Sequence, residues 1–198
     1  MIISEAVMEE EYAKEEKTIS LGKANLIAVV VMVPVGMVLL VFYYLLYGLP
    51  DLQKITVNEY FSSLLMILVG SLFLTAVHEF IHGFVWHFYC KNRWKSIKFG
   101  IAVKLLTPYC HCRELLFVWQ YRLGTAAPLL LTGILPYLIS LICGNFVLMA
   151  VSLLMIIGAG GDTAILLLLK NAKPYELISD HPSLCGCIVY HEKEFFTD

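Results

Sequence analysis

Four long apolar runs decide what this chain can fold into. Residues 24–48 contain no charged side chain, and residues 59–89, 124–142 and 145–169 are apolar over comparable lengths. About 20 residues of helix cross the hydrocarbon core of a bilayer, so each run predicts one transmembrane helix. The first run is too long for the core of a signal peptide, and a polar stretch precedes it with no small-residue cleavage site after it. Pro34 and Gly36 predict a kink there, which membrane helices tolerate. Cys143-Gly144-Asn145 predicts a tight turn, making a hairpin of helices three and four. Composition agrees: 59% of the residues are hydrophobic and 15% charged, where a soluble domain has about 45–50% and about 25%. The net charge of -2 leaves no basic stripe for a phosphate backbone, so nucleic acid is excluded as a partner. The expected fold class is an all-α polytopic membrane protein of four transmembrane helices, with a short β-hairpin-like or re-entrant segment between helices two and three. The expected partition is an N-terminal arm over 1–23, a membrane domain over 24–170 and a tail over 171–198.

Orientation follows from Lys and Arg alone. Thirteen of the 14 fall in the N-terminal arm, the second loop and the tail, whereas the first loop holds only Lys54. Both termini are therefore expected in the cytoplasm of a multi-pass cell-membrane protein. Cys90, Cys110, Cys112, Cys185 and Cys187 then face a reducing compartment, Cys143 lies alone at the outer turn, and no structural disulfide is expected. Residues 1–20 mix Glu and Lys with scattered apolar positions and predict a surface helix or a disordered arm. Residues 95–118 are rich in β-branched and aromatic side chains, with Gly100 and Pro108 as punctuation, and predict short strands or a re-entrant hairpin. The stretch 177–191 predicts another small turn-and-strand element.

The second run is interrupted by His78-Glu79-Phe80-Ile81-His82, an HExxH pattern. Residues i and i+4 share one helix face, so both imidazoles can reach one tetrahedral zinc ion. Glu79 projects about 100° away, beside the metal, where a carboxylate can take the proton of a water as it attacks a carbonyl. A structural site or transport path needs no such base. Ionisable groups within a membrane helix are costly and mark functional sites, and residues 61–85 are otherwise uncharged.

A catalytic zinc has three protein ligands. Asp162 is the candidate for the third, as the one charged residue between Asn145 and Leu169. From Tyr60 to the middle of the motif is ~30 Å of helix, and from Asn145 to Asp162 is ~26 Å. The two sites therefore lie at nearly the same depth, toward the cytoplasmic leaflet. Gly158, Gly160 and Gly161 would let helix four approach helix two. The alternative is that Asp162 pairs with a lysine or caps a helix break. His111, between Cys110 and Cys112, either belongs to a separate thiol-imidazole site or lines the mouth of the first and contacts substrate or the transition state. His87 is expected at the membrane interface, and Asp180 and His181 in a turn before Pro182.

With HEFIHG at 78–83, PYCHCREL at 108–115, Tyr121-Arg122 before Pro128, GGD at 160–162 and ISDHPSLCG at 178–186, the sequence resembles the bacterial "putative zincin peptidase" membrane family. Its architecture is similar to that of site-2 proteases, which carry HExxH on one core helix and a ligand aspartate on a later one. The resemblance implies His78, His82 and Asp162 as ligands and Glu79 as base. Asp162 is followed by Thr163 where site-2 proteases have aspartate-glycine, and no PDZ insertion is present. The expected function is a Zn2+-dependent, membrane-embedded endopeptidase acting on a membrane protein or peptide near the cytoplasmic leaflet, with an edge of the 95–118 strands available to pair with an unwound substrate. The alternative is a non-enzymatic membrane protein with a structural or transported metal ion. Oligomeric state is not legible.

Overall fold

A computed structural model describes residues 11–48, 55–102, 107–182 and 184–193. Residues 1–10 of the arm, the first loop with Lys54, and Lys104 lie outside them. In chain order the elements are strand β1 (Tyr12–Ile19), helices α1 (Leu21–Ile27), α2 (Val33–Tyr47) and α3 (Val57–His87), strands β2 (Ile97–Ala102), β3 (Thr107–Cys112) and β4 (Leu116–Phe117), helices α4 (Val118–Pro128), α5 (Leu135–Cys143), α6 (Phe146–Gly158) and α7 (Gly160–Leu168), and strands β5 (Leu177–Asp180) and β6 (Cys185–Glu192). Four helical stretches are long and apolar enough to cross a membrane: Val29–Tyr47, Val57–His87, Val118–Cys143 and Phe146–Leu168.

Local chemistry sets the ends and breaks of these helices. A π-helical turn, Ala28–Met32, precedes Pro34 and is where the first stretch departs from a regular helix. Helix α3 starts on a capping box. Thr56 Oγ1 accepts from the Glu59 N–H at 3.2 Å, and Glu59 Oε2 accepts the Thr56 N–H at 2.8 Å. Its 31 residues extend ~46 Å, longer than a ~30 Å hydrocarbon core, and the HExxH pattern sits three-quarters of the way along. The third stretch begins at Val118, six residues before the expected start. Arg122, counted above with the second loop, lies inside this helix and donates to the carbonyls of Leu169 and Ala172. That contact satisfies the C-terminus of α7, where a cation is favoured. Gly144, at φ +63°, and Asn145, whose side chain accepts the Leu148 N–H at 2.8 Å, make the turn between α5 and α6.

Packing differs from expectation at the glycines. A Cβ on Gly158 or Gly161 would meet nothing within 4 Å, so these residues do not bring helices together. They flank a break at Ala159 that separates α6 from α7. Close approach occurs instead at Gly124, against Trp86, and at Gly133, against Ile156.

The chain is mostly helical, with more sheet than the single expected hairpin. β2 and β3 form that hairpin, with Gly100 opposite Tyr109, and it lies against the last turns of α3, with Ile97 and Phe99 over Gly83. The expected surface helix or disordered arm is corrected over residues 12–19. This segment is a strand that pairs with β6 from Tyr12↔Glu192 to Ile19↔Cys185. A four-stranded sheet in the order β1-β6-β5-β4 results. Its buried residues Leu116, Ile178, Cys187 and Val189 share one core with Trp86, Tyr121 and Leu169, so the sheet is fastened to the end of the helical bundle that carries the HExxH pattern.

Candidate metal centre

His78, Glu79 and His82 lie on the buried side of α3, and one ligand atom from each falls within 4.8 Å of the others. Asp162 enters from the first turn of α7, where the helix dipole favours an anion. Its Oδ2 is 2.9 Å from His78 Nε2 and its Oδ1 is 3.3 Å from His82 Nε2. The histidine side chains are 9% and 6% exposed, so water cannot arrange itself freely around them.

The protonation of His82 is dictated by a neighbour. Its Nδ1 is 2.9 Å from the Gly124 carbonyl oxygen. A carbonyl only accepts, so Nδ1 carries a proton, and Nε2 is the nitrogen left to face a metal. Nε2 confronts the Asp162 Oδ1 at 3.3 Å. Two acceptors at this separation repel unless a proton or a metal cation lies between them. A tetrahedral zinc site with bonds of about 2.0–2.1 Å has ligand atoms about 3.3 Å apart, the separation found between His82 Nε2 and Asp162 Oδ1, while His78 Nε2 lies closer, at hydrogen-bond distance. The donor set therefore fits zinc: two imidazoles, one carboxylate, and Glu79 alongside. Among the described residues, His78 Nδ1 is buried with no hydrogen-bond partner.

The His82 ring is wedged. It stacks on Trp86, centroids 5.3 Å apart, and Trp86 stacks on Tyr121 at 5.1 Å while donating from Nε1 to the Tyr121 carbonyl at 3.2 Å. Gly124 permits this arrangement, because a Cβ there would sit 2.0 Å from Trp86 Nε1. On the other side, the backbone N–H of Cys110 in β3 faces the Glu79 carboxylate.

The remaining sequence candidates are placed as follows. His111 lies on β3, 28% exposed, with Nδ1 3.4 Å from Asp180 Oδ2. His87 is buried and stacks on Trp94 at 4.3 Å. Cys112 is buried against Cys90, their sulfurs 3.4 Å apart. Burial and the charge of Glu79 push the Cys110 thiol up. Glu114 closes the turn after α3, accepting the N–H groups of Lys91 and Asn92 at 2.7 and 3.0 Å. Asp180 is not a turn residue but ends β5 and accepts from Tyr121 and Cys112. Sequence reasoning missed Gly124, Trp86 and Asp180. A glycine and a tryptophan in apolar runs, and an aspartate before a proline, carry no metal-site signal of their own.

The model of the family described as "Putative zincin peptidase" matches residues 71–177, just over half the chain. The chain belongs to this zincin family. The matched segment contains the HExxH pattern, the β2–β3 hairpin, Gly124 and Asp162, and stops three residues short of Asp180. No curated protein and no solved structure matches the chain.

Proposed function

We propose that this zincin is a zinc-dependent, membrane-embedded peptidase that hydrolyses a peptide bond of a membrane-associated protein or peptide near the cytoplasmic leaflet. The observation that carries the reading is His82 Nε2 facing the Asp162 carboxylate at 3.3 Å, with His78 and Glu79 beside them. His78, His82 and Asp162 would hold the zinc. The metal would supply a Lewis acid and make water acidic enough to attack at neutral pH. Glu79 takes a proton from the attacking water and returns it to the leaving amine nitrogen. The Gly124 carbonyl and Trp86 keep the His82 ring in the one orientation that serves the metal, the outer-shell role on which affinity depends.

The membrane setting rests on the four apolar helices and on the 13-to-1 distribution of Lys and Arg, which puts both termini in the cytoplasm. Phe80, Phe84 and Phe88 run along one exposed stripe of α3, and Trp94 stacks on Phe80 at 5.6 Å. Such a cluster suits the interfacial zone of a bilayer and supports a metal centre near that boundary.

Glu79→Gln tests the reading. The variant should bind one zinc per chain, as the wild type does, and lose cleavage of a membrane peptide in detergent or liposomes. Turnover at the wild-type level would reject the mechanism. A structural or transported metal would leave Glu79 without a task.

A further inference from the structure

We propose that Asp180, outside the family-matched segment, is a positioning residue: it docks strand β3 against the metal centre and sets the tautomer of His111. The geometry stands alone; the consequence for turnover rests on the peptidase reading above.

Asp180 is the last residue of β5, held opposite Cys187 of β6. Its side chain is only 10% exposed, and desolvating a carboxylate is costly unless donors compensate. Donors arrive from two other elements. Oδ1 accepts the Tyr121 hydroxyl of α4 at 2.5 Å, and Oδ2 accepts the Cys112 N–H of β3 at 2.7 Å. The same Oδ2 is 3.4 Å from His111 Nδ1. In an antiparallel strand the N–H groups of residues i and i+2 leave by the same edge. Cys110 and Cys112 are two apart, and the Cys110 N–H faces Glu79. Asp180 and Glu79 thus occupy successive positions along one edge of β3. The first fixes the register at which the second meets the strand. The same carboxylate, acting only as an acceptor, draws the His111 proton to Nδ1 and leaves Nε2 free. The four-stranded sheet is therefore the frame that carries Asp180 to the site rather than a dangling tail.

The test uses 15N-histidine NMR and amide exchange on the full-length protein, with turnover measured in parallel. Wild type should show His111 protonated at Nδ1. Asp180→Asn should shift the proton toward Nε2, speed exchange at the Cys110 and Cys112 amides about tenfold, and lower turnover about tenfold at unchanged zinc stoichiometry. In a His111→Ala background the further loss from Asp180→Asn should shrink to the part that runs through docking of β3 at Glu79. Tyr121→Phe, which removes a donor but not the carboxylate, should leave the His111 tautomer unaltered. An Nε2–H tautomer in the wild type overturns the proposal, and it does so even if Asp180→Asn does not fold. Unchanged exchange at Cys110, or an undiminished loss in the His111→Ala background, overturns it as well. Absence of any cleavage by the wild type would reject the peptidase reading, while tautomer and exchange still decide the role of Asp180.

Discussion

Gly124→Ala is the perturbation that best exposes how the His82 ring is held. A Cβ at this position would lie 2.0 Å from Trp86 Nε1 and 2.3 Å from its Cδ1, where non-bonded carbon contacts need about 3.5–4.0 Å. Trp86 or α4 must therefore move by about 1.5 Å. Overpacking of this kind costs about 1–3 kcal/mol. Movement of the indole also breaks its hydrogen bond to Tyr121, worth about 0.5–1.5 kcal/mol, for a total of roughly 2–4 kcal/mol. The same displacement shifts the Gly124 carbonyl away from His82 Nδ1, and loss of such an outer-shell partner weakens metal binding about 10–100-fold. Chelator competition should show that weakening, and thermal unfolding in detergent should show a lower Tm. Gly124→Ala combined with Trp86→Phe should recover part of both, because the Nε1 atom that clashes is gone. Wild-type zinc affinity and Tm in Gly124→Ala would refute the packing and the orientation of His82 together.

Asp162→Asn should weaken zinc binding without blocking membrane insertion, and Asp162→Ala should weaken it further; unchanged affinity in both variants would reject Asp162 as a ligand. Reporters fused after Lys23, Lys95 and Asp198 should report the cytoplasm and one near Asp51 the outside, whereas an outside signal at 95 would reject the topology. His191 bridges Glu176 and Glu15 at 2.9 Å each. The hydrogen bond to Glu176 above all, with that to Glu15, raises its pKa above the ordinary 6.5. A raised histidine pKa contributes stability that is complete below the unfolded value and is lost as pH rises through the folded one. Intrinsic-rate-corrected amide protection in β1 should therefore fall as pH rises from below 6.5, and protection that is flat or increasing over that range would contradict the bridge.

Much of the helical framework is legible in the sequence because uncharged runs of this length have few other uses, and because HExxH and a lone aspartate stand out against them. The strand at Tyr12–Ile19 is not legible. Its Lys-Glu-Glu-Lys centre has no alternation of apolar and polar residues, and its partner lies some 170 residues away, a pairing no local pattern announces. Helix α4 starts before Arg122 because the guanidinium finds two carbonyls across the bundle, which only the tertiary structure supplies. Gly158 and Gly161 look like packing glycines by composition but mark a helix break, while Gly124, inconspicuous in its run, sets the closest approach beside His82. Asp180 is hidden for the same reason: its donors come from β3 and α4, distant in sequence.

X-ray absorption at the zinc edge of the purified, metal-loaded protein tests the central claim most directly. The account predicts a first shell of nitrogen and oxygen only, at about 2.0–2.1 Å, with the multiple-scattering signature of two imidazoles and four ligands in total, one of them not from the protein. Sulfur at about 2.3 Å, which would place the metal on the thiols of Cys90, Cys110 or Cys112 instead, would contradict it.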